Sequence, residues 1–218
     1  MHSYFILGTN TDCGKTYVTC QLVDYLKQND QRVHAVKPVA SGCMDVDGVL
    51  VSEDVLRINK HNDVQPDESL FWRLKRPISP HLAAVEDGYL LSAQAIVNAC
   101  QSFKTDAIDT LLIEGAGGLM VPLNDHETWV DFLLQANIPV ILVVGMQLGC
   151  INHTLLTEAV LNMHGIKCIG WIANCIDPDM LALSDNIQTL SDKLSFPRIA
   201  TVPFEGAITD VCQIPNFP

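Results

Sequence analysis

The chain has 218 residues, 48% apolar and 17% charged, with a formal net charge of −12 at pH 7. Such a length and apolar content suit one domain, 1–218, with one large core, and exclude a disordered polymer. The shortage of Lys and Arg argues against a nucleic-acid partner, whose affinity would come from neutralised phosphates. The longest apolar run, 138–146, is too short to cross a bilayer, so no membrane partner is expected. The N-terminus carries no basic segment, so no secretory leader is read and a cytoplasmic location is expected. Eight scattered cysteines without a C-x-x-C pair point to free thiols rather than a disulfide or zinc framework.

Taken in order, residues 4–7 form a short apolar run that predicts a buried strand and stops at Gly8. A loop of small and polar residues follows, ending in Gly14, Lys15 and Thr16, and Val18, Leu22, Tyr25 and Leu26 then recur at helical spacing. Strand, loop and helix in this order predict a phosphate loop. Its backbone N–H groups converge on phosphate oxygens, the lysine reaches the outer phosphates and the threonine hydroxyl ligates Mg2+. The match to G-x-x-x-x-G-K-[ST] is a variant, because five residues separate Gly8 from Gly14 and Thr9 stands where the first glycine belongs.

Residues 32–37 predict a second strand, stopped by Pro38, with 39–48 as a polar loop. A short helix is predicted over 51–59, with Ser52 as its cap and Asp54 in its first turn. Residues 60–90, broken by Pro66, Pro77 and Pro80, read as irregular. Next come a helix over 92–103, a strand over 110–113 running into Glu114-Gly115-Ala116-Gly117-Gly118, and a helix over 128–135. The all-apolar strand 139–144 implies cover on both faces. A helix over 152–164, a strand over 168–174, a helix over 180–194 and a strand over 198–201 complete the chain.

This alternation predicts an α/β three-layer domain with a mostly parallel sheet of six or seven strands flanked by helices. Ligands in such sheets bind beyond the carboxyl ends of the strands. Lys37, Glu114 and Asn174 each close a strand, so they belong on one rim with the phosphate loop. Thr16, Asp54 and Glu114 are candidate Mg2+ ligands against nucleotide phosphates. Lys37, beside Lys15, would set a second positive charge where phosphoryl or carboxylate oxygens gain charge in a transition state.

Seven segments then resemble the dethiobiotin synthetase family in the family's order: GTNTDCGKT from Gly8, KPVASG from Lys37, SPH from Ser79, EGAGG from Glu114, PVILVVG from Pro139, LGCINH from Leu148 and GWIAN from Gly170. The five-residue gap in the phosphate loop is the family's own form. The resemblance implies a phosphate-loop NTPase-like fold and an ATP-dependent cyclo-ligase that joins 7,8-diaminononanoate and CO2 to give dethiobiotin, ADP and phosphate. ATP would be the co-substrate and Mg2+ the cofactor.

Residue by residue, the resemblance implies that Asp12, Cys13, Gly14, Lys15, Thr16 and Tyr17 wrap the triphosphate, with Thr16, Asp54 and Glu114 on the metal. Lys37 and Lys15 would be catalytic, with Thr11 beside them. Ser41, Gly117 and Gly118 would meet the diamine, and Gly115 and Ala116 the nucleotide. Gly149, Cys150, Ile151 and Asn152 would hold the diamine's distant carboxylate across a homodimer interface. Asn174, Cys175, Pro203, Phe204 and Glu205, with Asp210, match base-binding positions. Asp12 stands where many members have glutamate, and the match fades after Glu205. The alternative is a related phosphate-loop ATPase switch that dimerises on ATP and recruits a protein. Against it, the loop before Asp12 lacks that class's additional lysine.

Overall fold

The computed structural model describes residues 1–62, 71–103 and 107–212. Part of the stretch read as irregular, 63–70 with Pro66, lies outside the described residues, as do 213–218. Strand β1 (His2–Gly8) leads through the loop into α1 (Lys15–Gln28), β2 (Val33–Val36) and β3 (Val39–Ser41). A hairpin of β4 (Met44–Val46) and β5 (Val49–Val51) precedes α2 (Glu53–His61). Then come β6 (Trp72–Leu74), α3 (Pro80–Glu86), α4 (Ala93–Gln101), β7 (Thr110–Gly118) and α5 (Trp129–Ala136). Strand β8 (Val140–Gly145), α6 (Cys150–Met163), β9 (Cys168–Asn174), α7 (Leu183–Lys193) and β10 (Arg198–Val202) follow.

The central sheet has six strands in the order β10-β9-β8-β1-β7-β2, and every pairing is parallel. Side chains alternate across it, because successive residues of a strand point to opposite faces. From β1, Phe5 and Leu7 join one buried cluster with Trp129 and Phe132 of α5 and with residues of α4, α6 and α7. Tyr4 and Ile6 join the other, against Val18, Leu22 and Leu26 of α1. Helices therefore cover both faces, and β8 is buried along its whole length. The fold is the expected α/β type.

Two expectations change. Residues 39–48 and 60–90 are not simply loop: they hold β3, β4, β6 and α3. Strands β3 and β6 are three residues each and pair with one another, Val39 opposite Trp72 and Ser41 opposite Leu74. Such short strands carry no readable alternation. Pro80 starts α3 rather than breaking it, because the first helical residue needs no N–H partner within the helix.

All six strand ends point to one rim. Between Ile6 opposite Glu114 and Gly8 opposite Gly118, the β1–β7 register shifts, a bulge that carries extra backbone on β7 where it leaves the core. Trp129 Nε1 donates to the Ala116 carbonyl at 2.9 Å and pins that bulge to α5.

Candidate active site

The phosphate loop is shaped by close backbone contacts. Asp12 and Gly14 take positive φ, 58° and 81°. At Gly14 a Cβ would stand 2.0 Å from Asn174 Nδ2, so a side chain is excluded on both counts. Asn174, at the end of β9, donates from that nitrogen to the Cys13 carbonyl at 2.9 Å and braces the loop. Lys15 is buried, with its Nζ donating to the Asn10 carbonyl at 3.0 Å.

Three elements then deliver a charged cluster. Glu114 on β7 has 0% exposure, and its Oε1 accepts from Thr16 Oγ1 at 2.7 Å and from Lys37 Nζ at 2.9 Å. Lys37, just past β2, also donates to Asp54 Oδ2. Asp54 sits in the first turn of α2, whose start is fixed by Ser52 accepting from the Val55 N–H. Burial works against the Lys37 ammonium, yet the carboxylates of Glu114 and Asp54 hold its pKa above the ordinary 10.5. Burial likewise opposes the Asp54 carboxylate, and the Lys37 charge and hydrogen bond outweigh it, leaving Asp54 below the ordinary 3.8.

A cavity of about 750 Å³ opens over this cluster. Among the sequence-predicted residues, Thr11, Asp12, Gly14, Lys15, Thr16 and Tyr17 line it from the loop and α1. Lys37, Ser41, Asp54, Glu114, Ala116 and Gly117 complete the lining from β2, β3, α2 and β7. The Ser41 Oγ is buried there without a partner.

The remaining candidates lie elsewhere. Cys13 is buried beneath the loop, and Gly145 leaves room for it, since a Cβ there would come within 2.9 Å of its Cα. Gly115 packs on Phe5, where a Cβ would stand 2.5 Å from the ring. Gly118 runs beside β1, its Cβ position 3.4 Å from the Thr9 carbonyl. Cys175 is buried, with its N–H on the Val202 carbonyl at 2.8 Å. Pro203, Phe204, Glu205 and Asp210 form an exposed segment after β10. Gly149, Cys150, Ile151 and Asn152 open α6 and do not line the cavity of their own chain; Gly149 caps the helix at φ 95°.

The lining also includes Arg57, Pro77, Ile78, Ser79, Pro80 and Val121. Arg57 was findable, because it follows Asp54 by three residues on one helix face. Pro77 to Pro80 lie in the stretch read as irregular, where the SPH motif covers Ser79 and Pro80 and nothing in the pattern marks Pro77 or Ile78 as site residues.

The oxygen donors Thr16, Asp54 and Glu114 suit a hard divalent cation, which takes one or two carboxylates plus phosphate oxygens and water. Glu114 Oε2 is the test of fit: it is fully buried and has no hydrogen-bond partner, so the carboxylate retains a lone pair that an ion would satisfy. No group of three or more His, Cys, Asp or Glu stands in metal-holding geometry among the described residues.

The family model described as an AAA domain matches residues 2–211. The ATP-dependent dethiobiotin synthetase BioD of Legionella pneumophila (strain Paris) is 50% identical over 212 residues, covering 97% of this chain and 98% of that protein. Its namesake from Pseudoalteromonas translucida is 38% identical over 206 residues, covering 94% and 91%. Among solved structures, the septum site-determining protein MinD complexed with Mg-ADP from Pyrococcus horikoshii has a TM-score of 0.57 at 20% identity, over 93% of this chain and 81% of that one. The cell division protein FtsY from Thermotoga maritima has a TM-score of 0.57 at 14% identity, and the chain spans 63% of its length. These two likenesses show the fold alone. The protein sequences show more: the chain belongs to the ATP-dependent dethiobiotin synthetase family.

Proposed function

We propose that the chain closes the ureido ring of dethiobiotin. One amine of 7,8-diaminononanoate captures CO2 as a carbamate and releases a proton. A carbamate oxygen then takes the γ-phosphoryl group of ATP, leaving ADP. Attack by the second amine on the carbonyl carbon expels phosphate and closes the ring. The reading rests above all on one observation: the Lys37 ammonium stands between Asp54 and Glu114, on the cavity that the phosphate loop also lines.

That arrangement answers the central difficulty of the reaction, which brings two anions together. In a partly buried site, fixed cations offset the repulsion between carbamate and triphosphate more than they would in solution. Lys15 and Lys37, both in the cavity lining, supply those charges. Ser41, with its unpartnered hydroxyl, and Thr11 offer hydrogen bonds to the diamine or its carbamate. Thr16, Asp54 and Glu114 would hold Mg2+, which when bound neutralises phosphate charge and orients the γ-phosphoryl group. Asp12 to Tyr17 would cradle the triphosphate, and Pro203, Phe204 and Glu205 the base.

A homodimer completes the reading. Leu148, just before α6, is 98% exposed, and Leu156 within α6 is also exposed, so both are free to meet a second copy. A neighbour's Gly149 to Asn152 would then receive the diamine's carboxylate at the start of α6, where the helix dipole favours negative charge. The activity test is steady-state phosphate release from Mg2+-ATP and bicarbonate, with and without the diamine. Release should depend on the diamine, and Glu114→Gln should require much more magnesium. An unchanged magnesium dependence removes Glu114 from the metal site, and diamine-independent release rejects the reaction.

A further inference from the structure

The segment after β10 folds back on its own strand. Thr201 and Thr209 exchange backbone hydrogen bonds at 2.9 and 2.7 Å, and Ile208 and Val211 pack against the cluster beneath α1. Its outer turn is hung on α1 by two side chains. The Tyr17 hydroxyl donates to the Gly206 carbonyl at 2.9 Å, and Gln21 Oε1 accepts from the Ile208 N–H at 3.1 Å. Tyr17 and Gln21 are four residues apart, so they share one helix face. Tyr17 also lines the cavity.

The same helix opens at Gly14, where its N-terminus faces the phosphate loop. One rigid element therefore carries the phosphate end of the site and, a turn further on, fastens the segment that holds Pro203, Phe204 and Glu205. We propose that Tyr17 and Gln21 are positioning residues for the nucleoside half of the nucleotide: they fix the 203–210 segment relative to the phosphate loop, and thereby set how much the base and ribose add to binding. The proposal rests on the assignment of the base to Pro203, Phe204 and Glu205, and deepens it. Without the latch the segment keeps its anchor on β10, but its outer turn loses its register with α1. The triphosphate contacts, which arise from the loop itself, do not depend on the latch.

That difference defines the experiment. Binding of Mg2+-ATP and of Mg2+-tripolyphosphate, which has the phosphates and no nucleoside, is measured by calorimetry and competition on the full chain. Gln21→Met removes only the amide at similar volume, and Gln21→Ala removes the whole side chain; Gln21 is half-buried and does not line the cavity. Each variant should weaken ATP about fivefold, the worth of one neutral hydrogen bond, and leave tripolyphosphate affinity within twofold of the parent. Equal weakening of both ligands would overturn the proposal, since the side chains would then act on the phosphate loop. Unchanged ATP affinity in both variants would overturn it as well. A parent protein that binds ATP no better than tripolyphosphate is a separate failure, that of the base assignment itself.

Discussion

Glu114 is a carboxylate with no exposure to solvent, and a charge in that position survives only with partners. Thr16 and Lys37 provide them, which makes Lys37 a structural counter-ion as well as a proposed catalytic cation. Lys37→Ala should therefore lower turnover by roughly 10²–10³ and also lower the melting temperature, since it leaves Glu114 buried with no cation. Lys37→Arg should recover stability while remaining deficient in turnover, because a planar guanidinium does not replace a compact ammonium. Near-parent turnover of Lys37→Ala would remove Lys37 from the reaction. His34 gives a second test. It lies in β2 against Phe103, with both ring nitrogens buried and unpartnered, and burial lowers its pKa from 6.5 to about 4. A group depressed on folding contributes stability that is present above 6.5 and is lost as pH falls towards 4, because the unfolded chain takes up the proton first. His34→Leu should thus lose less melting temperature than the parent between pH 6.5 and 4; identical slopes would contradict the assignment. That Lys37 and Glu114 meet on one rim was legible in the sequence, because each charge directly follows an apolar strand of one parallel sheet. Ser41's buried hydroxyl and the Tyr17–Gly206 contact were not, since they depend on partners far away in the chain.

At the scale of elements, long periodic segments declared themselves and short ones did not. The strand at 168–174 is found at the predicted residues, and Val140–Gly145 differs from its predicted range by one residue at each end. Their apolar runs are long and bounded by turn residues. Strands β3 and β6 are invisible by pattern, because each is three residues long and its partner lies more than thirty residues away. Helix α6 begins at Cys150, two residues before its predicted start, because Gly149 in the left-handed region lets the chain turn directly into it. Helix α5 illustrates the opposite case. Thr128 accepts from the Val130 N–H at 3.2 Å, while Asp131 accepts from the Thr128 N–H at 2.7 Å, a reciprocal cap readable as T-x-x-D. Since α5 carries Trp129, which pins the β7 bulge, the cap matters to the site as well as to the helix. Thr128→Ala should cost about 1 kcal/mol, or about 2–4 °C in melting temperature for a chain of this size. A loss below half a degree would show that tertiary packing alone fixes the helix start.

For the whole molecule, a parallel sheet turns scattered residues into one site. Every strand leaves its carboxyl end on the same rim, so residues from β1, β2, β7 and β9 meet there although they span most of the chain. We propose that the described residues form one domain, since a core cluster packs on each face of the central sheet. One chain does not bring Gly149 to Asn152 to its own cavity, and this motivates the dimer. Leu148→Asp should convert the protein to a monomer by sedimentation velocity and raise the KM for the diamine more than that for ATP. A dimer retained in that variant would move the interface elsewhere. The central claim is ring closure at the expense of ATP, and its most direct measurement uses 13C-bicarbonate with Mg2+-ATP and 7,8-diaminononanoate, followed by mass analysis of the product and a count of phosphate. The account predicts a cyclic urea carrying the label at its ureido carbon, formed one for one with phosphate. Phosphate released without labelled urea would contradict it.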